Sequence, residues 1–86
     1  MKIEISGVCR YISKLQRFDG HRNPHKFKII VIETLESSYI AIHAFDDNVE
    51  KTVDFVVGEV LTLQCTLESH KNRKNPDLWY HKILLQ

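Results

Sequence analysis

Between Val56 and Leu85 the chain has little choice of structure. Leu61, Leu63, Cys65 and Leu67 alternate with Thr62, Gln64, Thr66 and Glu68, and a period of two is satisfied only by a strand with one face buried and one wet. Val57-Gly58-Glu59 precedes this run, a turn in which Gly58, lacking a Cβ, takes positive φ cheaply. His70-Lys71-Asn72-Arg73-Lys74-Asn75-Pro76-Asp77 follows it, a polar and largely basic stretch that reads as a loop. The apolar run from Leu78 to Leu85 then returns. The unit is strand, basic finger, strand, a hairpin too long for a tight turn.

The rest of the chain must close a core around that hairpin. Its 86 residues make a single domain, residues 1–86, that hides only about 60–65% of its unfolded surface. Met1-Lys2-Ile3-Glu4-Ile5 alternates as a strand does and lacks the continuous apolar stretch of a signal peptide, so a cytoplasmic location is expected. The apolar runs fall far short of the ~20 residues that cross a bilayer, and no membrane association is expected. Cys9 and Cys65, the two cysteines, read as buried small hydrophobes rather than a disulfide.

Net charge is +1, but its distribution is uneven. Arg10 to Lys28 carries a net +5, Ile29 to Ser69 a net −7, and His70 to Gln86 a net +3. Two basic segments flanking an acidic middle suggest a polyanion such as nucleic acid as partner. Solubility alone also puts lysines and arginines in loops, and charge does not decide between the two.

In chain order, Ile3, Ile5 and Val8 to Ile12 form a first strand interrupted at Ser6-Gly7, where a glycine marks a bulge or sharp coil. From Ser13 to His25 the apolar pattern fails, and Asp19-Gly20 and Asn23-Pro24 supply turn chemistry, so a long loop carrying Lys14, Arg17, Phe18, His21 and Arg22 is expected. Lys26 to Thr34 is a second strand with Phe27, Ile29 and Val31 on one face and Ile30 and Ile32 on the other. Both faces are apolar, which asks for a subunit contact or a ligand surface. After the Leu35-Glu36-Ser37-Ser38 turn, the third strand runs Tyr39 to Phe45. Ile40, Ile42 and Ala44 point one way, and Tyr39, Ala41, His43 and Phe45 the other. Asp46-Asp47 can cap a short helix, with Val49, Val53 and Val56 at helical spacing and an end near Phe55.

The expected fold is therefore all-β with one short helix: a five-stranded OB-fold Greek-key barrel, the helix between strands 3 and 4. Such a barrel binds through strands 2 and 3 and the loops after strands 1 and 4, where the two basic segments fall. Phe45-Asp46-Asp47, the helix to Phe55, Val57-Gly58-Glu59-Val60-Leu61, the alternation after it, Ser69-His70-Lys71 and Trp79-Tyr80 together resemble small bacterial or phage single-stranded-DNA-binding proteins of the SSB type, including the primosomal OB proteins. The resemblance covers nearly the whole chain, most clearly residues 27 to 86. It implies base stacking on Tyr39 and Phe45, worth ~1–3 kcal/mol per base with little sequence preference. It also implies a role in DNA replication, recombination or repair. The chain departs from larger SSB-type proteins in closing its last strand at Gln86 without an acidic tail, which favours a small accessory or phage-encoded binder.

Phosphate contacts are expected from Lys71, Arg73 and Lys74 and from Lys14, Arg17 and Arg22, with stacking from Phe18. Phe27 reads as platform or barrel rim, and Tyr80, sharing parity with Lys82, as a surface contact. His43 lies on the strand 3 outer face, whereas Trp79 shares parity with His81, Ile83 and Leu85 and reads as core or loop base. No cofactor, metal or small-molecule substrate is expected. His21 and His25 have no Cys pair or acid to complete a tetrahedral set, and the sequence holds no phosphate loop, nucleophile elbow or histidine-glutamate helix motif. His43 beside Asp46 and Asp47 is explained by capping, so an enzyme is not expected. The partners implied are single-stranded DNA, with RNA still open, and a second copy in a homodimer or larger homo-oligomer. The rival reading is an OB-fold oligomerisation or protein-interaction module whose strand 2 and strand 3 faces bury against protein.

Overall fold

The computed structural model describes residues 1–19 and 24–86. Six strands and a 3-10 helix account for most of them: β1 (Lys2–Ile12), β2 (Gln16–Asp19), β3 (Pro24–Glu33), β4 (Tyr39–Phe45), the 3-10 helix (Asp46–Thr52), β5 (Val60–Lys71) and β6 (Trp79–Leu85). Five strands close a ring in the order β1-β5-β6-β4-β3 and back to β1. Neighbours are antiparallel except β4 and β6, which run parallel where His43 faces Leu84. The architecture is a small β-barrel.

Ring closure depends on β1, whose first part, Lys2 to Val8, pairs with β5, and whose last part, Val8 to Ile12, pairs with β3. A register shift between Cys9 and Tyr11 supplies the extra twist. The strand is thus continuous rather than interrupted at Ser6-Gly7, and the irregularity falls three residues later. The Gly58 turn locks this corner: Gly58 N–H donates to the Cys9 carbonyl at 2.7 Å, and Cys9 N–H to the Glu59 carbonyl at 2.8 Å. Gly58 has φ +99°, the positive value its sequence position calls for.

The core follows the expected parity. Ile5 and Cys9 from β1, Ile30 and Ile32 from β3, Ile42 and Ala44 from β4, Leu63 and Cys65 from β5 and Leu85 from β6 form one buried cluster. Both cysteines are unbonded and buried, and burial pushes both thiols above their ordinary pKa, which keeps them protonated and inert.

The structure corrects several expectations. The long loop from Ser13 to His25 contains β2, paired antiparallel to the start of β3, so there are six strands rather than five among the described residues, and β3 starts at Pro24 rather than Lys26. The helix is of 3-10 type and ends at Thr52, not near Phe55; Val49 is buried, but Val53 and Val56 are exposed. Asp46 does not cap it: Phe45 occupies the cap position without a side-chain bond. Of the two places read for Trp79, core or loop base, it takes the loop base and is exposed, because the β5–β6 ribbon continues past the barrel to the pair Lys71 and Trp79.

Candidate functional site

The outer face of β3 and β4 carries the expected apolar set in register, Phe27 opposite Phe45, Ile29 opposite His43 and Val31 opposite Ala41. At one end of this face five rings gather. Phe27 and Phe45 have centroids 5.6 Å apart, and His43 lies 5.9 Å from Phe45 with its plane tilted by only 10°. From β2, Phe18 reaches 5.7 Å from Phe27, while His25 stacks on Phe18 at 5.2 Å. Lys82 of β6 puts its Nζ 4.9 Å from the Phe45 centroid, a cation–π contact that fixes a positive charge on the edge of the cluster.

Hydrogen bonds hold both flanks. Ser13, where the chain leaves β1, is buried; its Oγ accepts from the Ile29 N–H at 2.8 Å, and its own N–H donates to the Ile29 carbonyl at 2.9 Å. Asp46, at φ +50°, turns its carboxylate back to the start of β3, accepting from the Lys26 N–H at 3.3 Å and from His25 Nδ1 at 3.2 Å. These bonds hold its carboxyl below the ordinary pKa, the Lys26 amide first and the imidazole second. Asp46 therefore orients the His25 ring, rather than forming an acid-base cluster with His43.

His43 lies half-buried among the rings, and its Nδ1 finds no hydrogen-bond partner among the described residues. Burial, and then the nearby Lys82 charge, lower its pKa, so the imidazole is neutral at pH 7 and offers a flat, weakly polar surface. Among the described residues no group of three His, Cys, Asp or Glu side chains can hold a metal ion.

The candidate residues divide between this cluster and its surroundings. Phe18, Phe27, His43 and Phe45 are brought together. Tyr39 stands opposite Glu33, about 20 Å along β4 from Phe45, exposed and outside the cluster. Arg17 is exposed on β2 opposite Lys26. It lines a groove of about 330 Å³ with Lys26, Asp46 and Asp47. Lys14 is exposed between β1 and β2, whereas Arg22 and His21 lie outside the described residues. Lys71, Arg73 and Lys74 ring the tip of the β5–β6 hairpin, and the Tyr80 hydroxyl accepts from Asn72 Nδ2 at 2.7 Å. In the sheet, β3 and β4 lie between β6 on one side and β2 on the other, so Lys82 of β6 borders the rings on one side and β2, with Arg17 and Phe18, on the other.

Sequence reasoning missed His25 and Lys82 as members of the site. His25 shares parity with Phe27 and was legible once β3 was extended to Pro24. Lys82 reaches Phe45 only through the parallel pairing of β4 with β6, a non-local register that no local pattern encodes. No family model, no curated protein and no solved structure matches this chain.

Proposed function

We propose that this chain is a non-enzymatic binder of single-stranded nucleic acid, DNA in preference, built on an OB-fold of the SSB type. A ring of five strands with a helix between the third and fourth, and long connections after the first and fourth, supports the fold reading. The observation that carries the function is the cluster of Phe18, His25, Phe27, His43 and Phe45, with Lys82 over one ring. Bases stack on the accessible ring faces for ~1–3 kcal/mol each, with little choice among bases. Lys82, Lys71, Arg73 and Lys74 neutralise phosphates and release counterions, which makes binding fall with salt.

Anisotropy of a fluorescein-labelled oligo(dT) of about 30 nucleotides, at low and physiological salt, tests the reading, with oligo(U) and duplex of equal length as competitors. Micromolar or tighter binding that resists duplex and weakens with salt is expected. Phe45→Ala weakens binding about 5- to 150-fold with the salt slope unchanged. Lys71→Ala with Arg73→Ala lowers that slope by about 1.4. Absence of binding at low salt overturns the proposal, and wild-type slopes in every variant overturn the division of labour.

A further inference from the structure

Two groups of exposed apolar side chains lie at the two ends of β5, and they differ in the charges around them. β5 runs between them: Val60 to Lys71 is about 36 Å of strand, against a longest molecular extent of 39 Å. At the Val60 end a groove of about 370 Å³ lies between β1 and the β3–β4 turn, lined by Gly7, Val8, Leu35 and Val60 and edged by Glu33. Leu35 is 101% exposed and Val60 73%. The adjoining groove, which Leu35 shares, adds Glu4 and Glu36, and Glu59 precedes Val60 in the chain. Arg10, the base beside this end, is already held by Glu33 at 2.7 Å.

At the other end the β5–β6 tip carries Leu78, Trp79 and Tyr80 in succession, 49%, 55% and 56% exposed, among Lys71, Arg73 and Lys74, with Asp77 and Glu68 as the nearby acids in sequence. Trp79 lies on the side of the ribbon that faces the core lower down, where Leu85 is buried, but the barrel ends before reaching it. The tip is held in one shape. Asn72 Oδ1 accepts from the Lys74 and Asn75 amides at 2.7 and 3.1 Å, Asn75 Oδ1 accepts from the Asp77 amide at 3.0 Å, and the Asn72 amide donates to the Leu78 carbonyl at 2.9 Å. A preorganised apolar tip loses little entropy when it docks.

We infer that the two ends fit one another in successive copies of this chain. The tip of one copy, led by Leu78 and Trp79 and flanked by Lys71, Arg73 and Lys74, docks between Leu35 and Val60 of the next, within the rim of Glu4, Glu36 and Glu59. Apolar groups meet apolar groups and bases meet acids, the complementarity that fixes orientation and suppresses like-end pairing. Because the two surfaces differ, the contact is heterologous and propagates as an open row unless its rotation closes a ring. A single hairpin tip buries less area than a standard interface, so association is weak and depends on concentration. The inference is independent of nucleic-acid binding.

Sedimentation velocity of the full chain without nucleic acid, from micromolar to near-millimolar concentration at low and high salt, tests it. The expected result is a sedimentation coefficient that rises with concentration and rises less at high salt. Leu35→Lys spoils the groove and Trp79→Ser the tip; both sites are exposed, and circular dichroism checks that each variant is folded. Each variant alone stays monomeric, yet an equimolar mixture forms a one-to-one dimer, since one partner keeps its tip and the other its groove. A wild-type monomer throughout, wild-type association by either variant alone, or a mixture that stays monomeric each overturns the head-to-tail contact.

Discussion

A Cβ on Gly7 would collide with the Glu33 carbonyl oxygen and sit 2.7 Å from a side-chain methyl of Ile32, because β1 there leaves β5 and comes down onto β3. Gly58 is the opposite case, with open space around it but φ +99°. Gly7→Ala therefore costs about 1–3 kcal/mol through overpacking, and Gly58→Ala about 1–2 kcal/mol through backbone strain. Urea denaturation separates the causes: asparagine, which tolerates positive φ, recovers most of the loss at position 58 and none at position 7. Two titrating residues act in different pH ranges. The Asp46 carboxyl is depressed by the Lys26 amide and His25, so its contribution to stability is present above the unfolded value of about 3.9 and is lost as pH falls through the lower folded value. His43, depressed by burial and then by Lys82, contributes in the same sense above about 6.5 and loses that contribution as pH falls. Thermal melts across pH are expected to lose part of their acid limb in Asp46→Asn and their decline just below neutrality in His43→Phe; unchanged profiles in both variants would refute the assignment.

Among the elements, β4 and β5 are the most legible in sequence, since their strict alternation gives the inward set Ile42, Ala44, Leu63 and Cys65 directly. β2 is not legible, because its partners are the half-buried outer rings rather than the core, and Gln16-Arg17-Phe18-Asp19 carries no alternation of its own. The helix is legible only in part for a related reason. Val49, Val53 and Val56 have helical spacing, but only Val49 meets the core, and the capping role read for Asp46 yields to a partner 20 residues away at Lys26. Trp79 has the parity of a core residue on a ribbon that outruns the barrel. In the candidate site, Phe45 and His43 follow from parity along one strand, whereas Phe18 and Lys82 depend on long-range pairings. The link between β1 and β2 rests on Ser13, whose Oγ is the acceptor for the Ile29 amide. Ser13→Ala leaves that amide short of a partner, and a loss of about 1–3 kcal/mol in urea unfolding is expected. Because Ile29 sits opposite His43 in the β3–β4 ladder, chemical shifts of the ring cluster are expected to move with it; a variant with wild-type stability and shifts would remove Ser13 from the support of the site.

For the molecule as a whole, the closed ring and the projecting hairpin set two levels of stability. Ile30, Ile32, Ile42 and Cys65 are wholly buried, and their amides belong to ladders shared around the ring, so they exchange with solvent only when the barrel unfolds globally. Beyond Glu68 and Lys82 the ribbon is held by the pairs Ser69 with His81, His70 with Tyr80 and Lys71 with Trp79, whose side chains are all exposed. With so little apolar burial to lose, this segment opens locally, and its amides exchange well ahead of the ring. The same segment is called on twice, as a phosphate contact in the proposed nucleic-acid complex and as the docking tip in the row of copies, and exchange distinguishes these uses. Saturating oligo(dT) is expected to slow exchange at the tip together with the β3 and β4 amides beneath the five rings. High protein concentration without nucleic acid is expected to slow it at the tip together with the β3–β4 turn around Leu35 and the start of β5 at Val60. Both proposals engage Lys71, Arg73 and Lys74, so the two ligands are expected to compete, and adding oligo(dT) to concentrated protein is expected to free the Leu35 and Val60 region while the tip stays protected. Protection that persists at Leu35 under saturating oligo(dT) would show that the tip serves both surfaces at once, and would end the argument for competition.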